Sequence, residues 1–232
     1  MYRGGSILRV FSGLRAVPVS ALWLFIILAS QFSLCQAGDN TSSLSCWDRK
    51  GGTFQTRQAK TPVFKSAAGA AYAEVIAEAS SDAGQAQFCK NKVELFYSKQ
   101  GKDYTRVYDR TGLDDEGVGI RLLGWSQNGA QLLMEISVWG YDTDRDVVRS
   151  ALLFDAGTQQ TRELPLSDAF EREFGKDCEF ESMVLGWQGD DRVLIRVGKT
   201  PPTTRYQQTF CVQKPTIYAF NVREGKILGG KP

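Results

Sequence analysis

Histidine is absent from this chain of 232 residues. Histidine is the usual general base at neutral pH and the commonest zinc ligand, and it activates the nucleophile in Ser-His and Cys-His arrangements. Its absence therefore excludes these ways of building a hydrolase or a zinc enzyme. Catalysis by carboxylates, lysine or tyrosine stays open, and the sequence predicts neither a cofactor nor a metal site.

The chain also lacks a surplus of charge once its first residues are set aside. Lysine and arginine total 28 against 26 acidic residues, and Arg3, Arg9 and Arg15 lie in an N-terminal stretch without any acid. The remainder is close to neutral. Because nucleic-acid binding generally needs a clustered basic surface, we do not expect a nucleic-acid partner.

A long uncharged stretch occurs only near the N-terminus, over residues 16–34. Basic residues precede it and small residues surround Ala37, which is typical of an export signal. We predict a signal peptide over residues 1–37 and an exported protein, periplasmic or secreted. The alternative is an uncleaved anchor, because residues 16–34 approach the ~20 residues that span a bilayer. Membrane contact would then run through this segment alone.

A turn that contains a tryptophan, followed by an apolar strand, occurs twice in the chain. The first copy is Leu123-Gly-Trp-Ser-Gln-Asn-Gly129 and the second is Leu185-Gly-Trp-Gln-Gly-Asp-Asp191. In the first copy, Asn128-Gly129 suits a tight reversal at positive φ. The two tryptophans, Trp125 and Trp187, are 62 residues apart. Similarity at a fixed period indicates a repeat architecture.

Turn residues and alternating apolar residues divide the rest of the chain into three units, after a flexible polar lead-in over residues 38–61. The units cover about residues 62–110, 118–166 and 178–230. Each has the pattern of four antiparallel strands, and the third strand of each ends near a phenylalanine: Phe96, Phe154 and Phe220. Alanine makes helix a competitor over residues 70–77, where we predict a strand, and one short helix is expected near Phe170. The predicted fold class is all-β.

Two motifs resemble the repeats of the TolB-like and WD40-like propeller families found in exported bacterial proteins. They are Trp125-Ser-Gln-Asn-Gly129, and Leu152-Leu-Phe-Asp-Ala-Gly-Thr158 with the strand that follows it. The families repeat a Trp-Ser-Pro-Asp-Gly turn, and here Gln127 replaces the proline and Asn128 the aspartate. The resemblance implies three propeller-blade-like units and attaches no function to them. Closed propellers typically have about 4 to 8 blades. Three units would therefore form a partial or open propeller, pair with another copy, or include a fourth blade.

Four cysteines would remain after removal of the leader: Cys46, Cys89, Cys178 and Cys211. An even number in an exported chain favours disulfides, and four cysteines allow three connectivities. Cys89 and Cys211 hold the same place in their units, just ahead of the third strand. We therefore prefer the pairs 46–89 and 178–211, each of which would stabilise the fold by about 3 kcal/mol.

The candidate binding surface combines two aromatic residues, Trp139 and Tyr141, with the acidic loop residues Asp142, Asp144 and Asp146. An aromatic pair just beyond a strand and beside a polar loop is typical of a contact surface. The spacing of the aspartates opens like a calcium-binding loop. Its sixth and twelfth positions should be glycine and a bidentate acid, and they hold valine and leucine. A solvated hairpin tip is the preferred interpretation.

Three functions are consistent with these patterns. The preferred one is a non-enzymatic module that binds another protein or an envelope polymer through loops such as 139–146 and 199–209. The first alternative is a carboxylate-based glycan hydrolase that uses two of Glu135, Asp142 and Asp144 across a cleft. The second is a structural module that completes a ring by self-association, which predicts a homo-oligomer.

Overall fold

The computed structural model describes residues 41–42, 56–80, 88–113, 116–140, 147–175, 180–198, 211–212 and 214–231. All of them belong to one compact unit, Asp39–Pro232. The predicted signal peptide and the alternative anchor lie outside the described residues and stay predictions. Within the described ranges, no helix combines the length and the apolar character needed to cross a membrane.

Strands make up most of this part of the chain, and they are numbered here in chain order. They are β1 (Thr41–Ser42), β2 (Arg57–Lys60), β3 (Phe64–Ser66), β4 (Gly69–Ser80), β5 (Phe88–Ser98), β6 (Thr105–Thr111), β7 (Glu116–Trp125), β8 (Gln131–Gly140), β9 (Val148–Asp155), β10 (Gln160–Glu163), β11 (Glu181–Gln188), β12 (Arg192–Gly198), β13 (Thr216–Asn221) and β14 (Lys226–Lys231). The helix α1 (Leu166–Phe174) lies between β10 and β11. The predicted all-β class and the short helix near Phe170 are confirmed.

The strands pair into three antiparallel sheets. The first sheet has the order β2-β4-β5-β6, with β3 also paired to β4; the second has the order β1-β7-β8-β9-β10; the third has the order β11-β12-β13-β14. Strands β1 and β2 come from the predicted lead-in and add one strand each to the second and first sheets. The alanine-rich segment forms β4, as predicted. Ala71, Ala73 and Ala77 are fully buried there, so sheet packing overrides the helix propensity of alanine.

The two tryptophan-containing segments share a register shift and an indole hydrogen bond. The pairing of β7 with β8 and of β11 with β12 shifts register just before Gly124 and Gly186. Both glycines have positive φ, 123° and 145°, which glycine adopts without steric cost. The Trp125 Nε1 donates to the Phe64 carbonyl oxygen at 3.1 Å, and the Trp187 Nε1 donates to the Gly124 carbonyl oxygen at 3.0 Å. Each indole therefore ties its own sheet to the preceding one.

Two apolar layers lie between the three sheets, and β8 contributes to both because its side chains alternate. Leu132, Met134 and Ile136 belong to the layer shared with the first sheet, whereas Leu133 belongs to the layer shared with the third. Helix α1 adds Phe170 to the second layer. The second sheet is thus covered on both faces, which explains why its central strands are apolar on both faces.

The predicted disulfides are only partly within the described residues. Cys89 lies on β5 and is buried, with 3% of its surface exposed, and Cys211 precedes β13. Cys46 and Cys178 lie outside the described ranges. The pairs 46–89 and 178–211 therefore stay predictions.

Candidate functional site

The structure describes one of the five residues predicted to form the binding surface. Trp139 lies on β8, one residue before the strand ends. Tyr141, Asp142, Asp144 and Asp146 lie outside the described residues, so their part in a surface or a calcium loop stays a prediction. Among the residues that are described, no group of three or more acidic or cysteine side chains is placed to hold a metal ion.

Trp139 is half-buried because its indole lies on the backbone of the neighbouring strand. Gly117 is its cross-strand partner on β7. A Cβ atom added to Gly117 would overlap the Cε2 and Nε1 atoms of the indole. Glycine is therefore needed opposite Trp139, in the way that an aromatic ring covers a strand glycine elsewhere.

The substitution Gly117→Ala should displace the Trp139 indole and lower the free energy of unfolding by about 1–3 kcal/mol. We expect a shift in tryptophan emission that disappears in a Trp139→Phe background. Gly198→Ala is the matched control, because a Cβ atom there meets no atom within 4 Å. Equal emission changes in the two glycine variants would show that the indole does not lie on Gly117.

A groove of about 350 Å³ opens between the second and third sheets, at the end where β8 stops and β9 begins. We call this end the loop end. The groove is lined by two arginines, one carboxylate, one hydroxyl and three apolar side chains: Arg121, Arg149, Glu135, Ser137, Trp139, Val147 and Met183. Trp139 thus joins side chains from β7, β8, β11 and the start of β9 in one depression.

A buried ion pair forms the floor of the groove. The Arg121 Nη2 donates to the Glu135 Oε1 at 3.0 Å and to the Val184 carbonyl oxygen at 2.8 Å. The Val184 amide donates to the second oxygen of Glu135 at 3.4 Å. The Glu135 side chain is only 7% exposed. A buried carboxylate needs such partners, so the pair also fixes β11 against the second sheet.

A second ion pair of similar length lies at the rim of the groove. The Arg149 Nη1 is 3.1 Å from the Glu181 Oε1, and the two side chains are 31% and 45% exposed. Val147, which precedes β9, is also exposed, at 44%. The rim therefore presents exposed charged and apolar groups, whereas the carboxylate in the floor is buried.

The carboxylates described above, Glu135 and Glu181, are both held in ion pairs. A glycan hydrolase needs one carboxyl group that can give up a proton and a second carboxylate across a cleft. Glu135 is already held by Arg121 and by the Val184 amide. Glu181 is paired with Arg149. Within the described residues, the groove therefore offers a guanidinium, an aromatic ring and apolar contacts to a ligand.

A second cleft, of about 370 Å³, lies at the opposite end, where the turns join the strands. Its acidic residue Asp190 accepts a hydrogen bond from the Asn128 amide at 2.6 Å. Nearby, the backbone amide of Thr158 and other donors hold the pKa of Asp155 below its usual range. These carboxylates accept hydrogen bonds from backbone amides of turns.

Sequence reasoning placed Trp139 and Glu135 among the functional candidates and missed Arg121, Arg149 and Met183. One signal was available for the ion pair. Arg121 and Glu135 each interrupt an apolar run, and the two runs are consecutive strands with opposite charges at matching positions. No such signal marks Arg149 or Met183, which reach the groove through the packing of two separate sheets.

Comparison with known proteins gave no match to a family model, to a curated protein or to a solved structure. Function therefore has to be argued from this chain's own residues.

Proposed function

We propose that this protein is an exported, non-enzymatic module of propeller-like sheets that binds a protein partner in the groove at its loop end. The observation that carries the proposal is the groove itself, where Trp139, two arginines and Met183 converge from two sheets. Export is supported by the pattern of residues 1–37, in which basic residues precede an uncharged stretch.

The propeller-like assignment rests on the equivalence of the second and third sheets. Both contain an antiparallel meander of four consecutive strands, and the first strand of each meander has a bulge and a tryptophan near its end. Trp125 donates to a carbonyl of β3 in the first sheet, and Trp187 donates to a carbonyl of β7 in the second sheet. Such repetition of a unit and of its neighbour contact is the pattern of blade-like architectures.

A protein partner is favoured over an envelope polymer by the composition of the groove. Tryptophan, arginine and methionine are enriched in protein interfaces, while lysine is depleted. The groove has all three enriched types and no lysine. The exposed Val147, at 44%, adds an apolar group to its lining. The loops 141–146 and 199–209 connect strands at this end, and we include them in the proposed surface.

A photocross-linking residue placed at Val147 should capture the partner in cells of the source organism. The control is the same residue at Thr158, which is exposed on the turn after β9. We expect a discrete protein adduct from Val147 that is absent from Thr158. Trp139→Ala with Tyr141→Ala in the Val147 background should remove the adduct while far-UV circular dichroism stays unchanged.

Three results would contradict the proposal. They are adducts shared by both positions, an adduct that survives the double alanine substitution, and the absence of any adduct from Val147. Mass spectrometry of the adduct separates a protein partner from a glycan, and a glycan would favour the envelope-polymer alternative.

A further inference from the structure

The outer face of the third sheet is apolar and uncovered. Leu185 and Ile217 are 41% and 45% exposed. Leu194, Ala219 and Leu228 form a row across three strands of the same face, and each is only half-buried. A contiguous apolar row on a sheet face marks an interaction surface.

The second sheet shows what this face would look like when covered. Leu133 pairs with Gly124 and Leu153, as Leu194 pairs with Gly186 and Ala219. In the second sheet Leu133, Ala151 and Leu153 are 0%, 3% and 1% exposed, because the third sheet lies on them. The equivalent positions in the third sheet are also apolar, and no other sheet of the described residues packs on them.

The outer face of the first sheet has an aromatic cluster instead of an aliphatic row. Phe154 and Phe220 are fully buried. Phe154 packs from the second sheet onto the first, and Phe220 packs from the third sheet onto the second. Phe96 has the equivalent place on the outer face of the first sheet and is only half-buried. It stacks on Tyr72 with ring centroids 5.1 Å apart, and Tyr104 meets Tyr72 edge-on at 5.0 Å. The first sheet therefore has an aromatic outer face on which no other sheet of the described residues packs.

Charge also differs between the two faces. Arg196 and Arg192 are exposed on β12, on the same face as Leu194. The face of the first sheet contains Glu74 and Glu94, cross-strand partners that are 6% and 8% exposed. The ammonium of Lys92 and the guanidinium of Arg106 hold the pKa of Glu94 below its usual range. The Glu94 carboxylate thus lies within the face as an anion.

The cations that pair with these carboxylates are more exposed than the carboxylates themselves. Lys60, which pairs with Glu74, is 58% exposed, and Arg106, which pairs with Glu94, is 50% exposed. Both can swing outward on flexible stems. Lys92, which is 28% exposed, also pairs with Glu94 at 2.6 Å.

We propose that the uncovered face of the third sheet binds the outer face of the first sheet of a second copy of this chain. Two copies related by a two-fold axis make this contact twice and close a ring of six sheets. Six lies within the roughly 4 to 8 units of closed propellers, and closure leaves neither face open. The contact continues the sheet-on-sheet packing already present twice within each copy.

Light scattering after size-exclusion chromatography should show a dimer of the exported chain. Ile217→Asp, on the receiving face, and Phe96→Glu, on the covering face, should each weaken dimerisation at least tenfold. Thr158→Asp, on an exposed turn, is the control and should leave the dimer unchanged. Tyr104→Glu replaces Phe96→Glu if melting curves show that the latter does not fold.

Mixing the two interface variants gives the decisive result. A dimer of one Ile217→Asp chain and one Phe96→Glu chain has both substitutions in one contact and an intact second contact, so mixing should restore a heterodimer. Three results overturn the proposal: a wild-type monomer at all concentrations, an assembly larger than a dimer, or a dimer that Phe96→Glu does not affect. The last result would mean that two third sheets pair with each other.

Discussion

Leu133→Ala should lower the free energy of unfolding by about 2–5 kcal/mol, as expected for a fully buried leucine whose removal leaves a cavity. Leu133 is 0% exposed between the second and third sheets. Leu194→Ala removes the same atoms from the equivalent position of the third sheet, where no sheet covers them. In the monomer its cost should be about 1 kcal/mol or less.

Urea unfolding of both variants, monitored by circular dichroism, measures the difference. At low protein concentration the two costs should differ by about 1 kcal/mol or more. Raising the concentration should increase the cost of Leu194→Ala, because the proposed dimer stabilises the folded state by mass action. Leu133→Ala has the same cost at every concentration. Equal costs in dilute solution would show that Leu194 is already covered within one chain.

Features that depend on neighbouring residues were predictable from the sequence. The Asn128-Gly129 turn, the strands on either side of it and the end of β9 near Phe154 follow from turn propensity and alternation. The repeat also identified Trp125 as one of two recurring tryptophans. In the structure its Nε1 donates to the Phe64 carbonyl oxygen.

Features that depend on the packing of one sheet against another were not predictable in the same way. The groove brings Arg149 and Met183 together although no local pattern relates them. Their positions depend on how the third sheet is staggered and twisted against the second, which the sequence encodes only through many weak contacts. For the same reason β1 and β2 were interpreted as a flexible lead-in. Lys60 on β2 pairs with Glu74, a residue that becomes its neighbour only after β4 has formed.

The buried pair of Arg121 and Glu135 should be among the most sensitive positions in the protein. Arg121→Met leaves the Glu135 carboxylate at 7% exposure with the Val184 amide at 3.4 Å. Breaking a buried pair in this way should lower the free energy of unfolding by about 3 kcal/mol. Methionine is a suitable replacement, because Met183 holds the equivalent position in the third sheet.

Urea unfolding of single and double variants separates loss of a contact from the cost of a buried charge. Adding Glu135→Leu to Arg121→Met should recover at least half of the lost stability, since the double variant no longer buries an unpaired carboxylate. Arg149→Met is the matched control. Its pair with Glu181 has nearly the same length, 3.1 Å, but both partners are exposed, so its cost should be about 0–1 kcal/mol. A double variant no more stable than Arg121→Met would contradict this account. Arg121 would then stabilise β11 chiefly through its bond to the Val184 carbonyl oxygen.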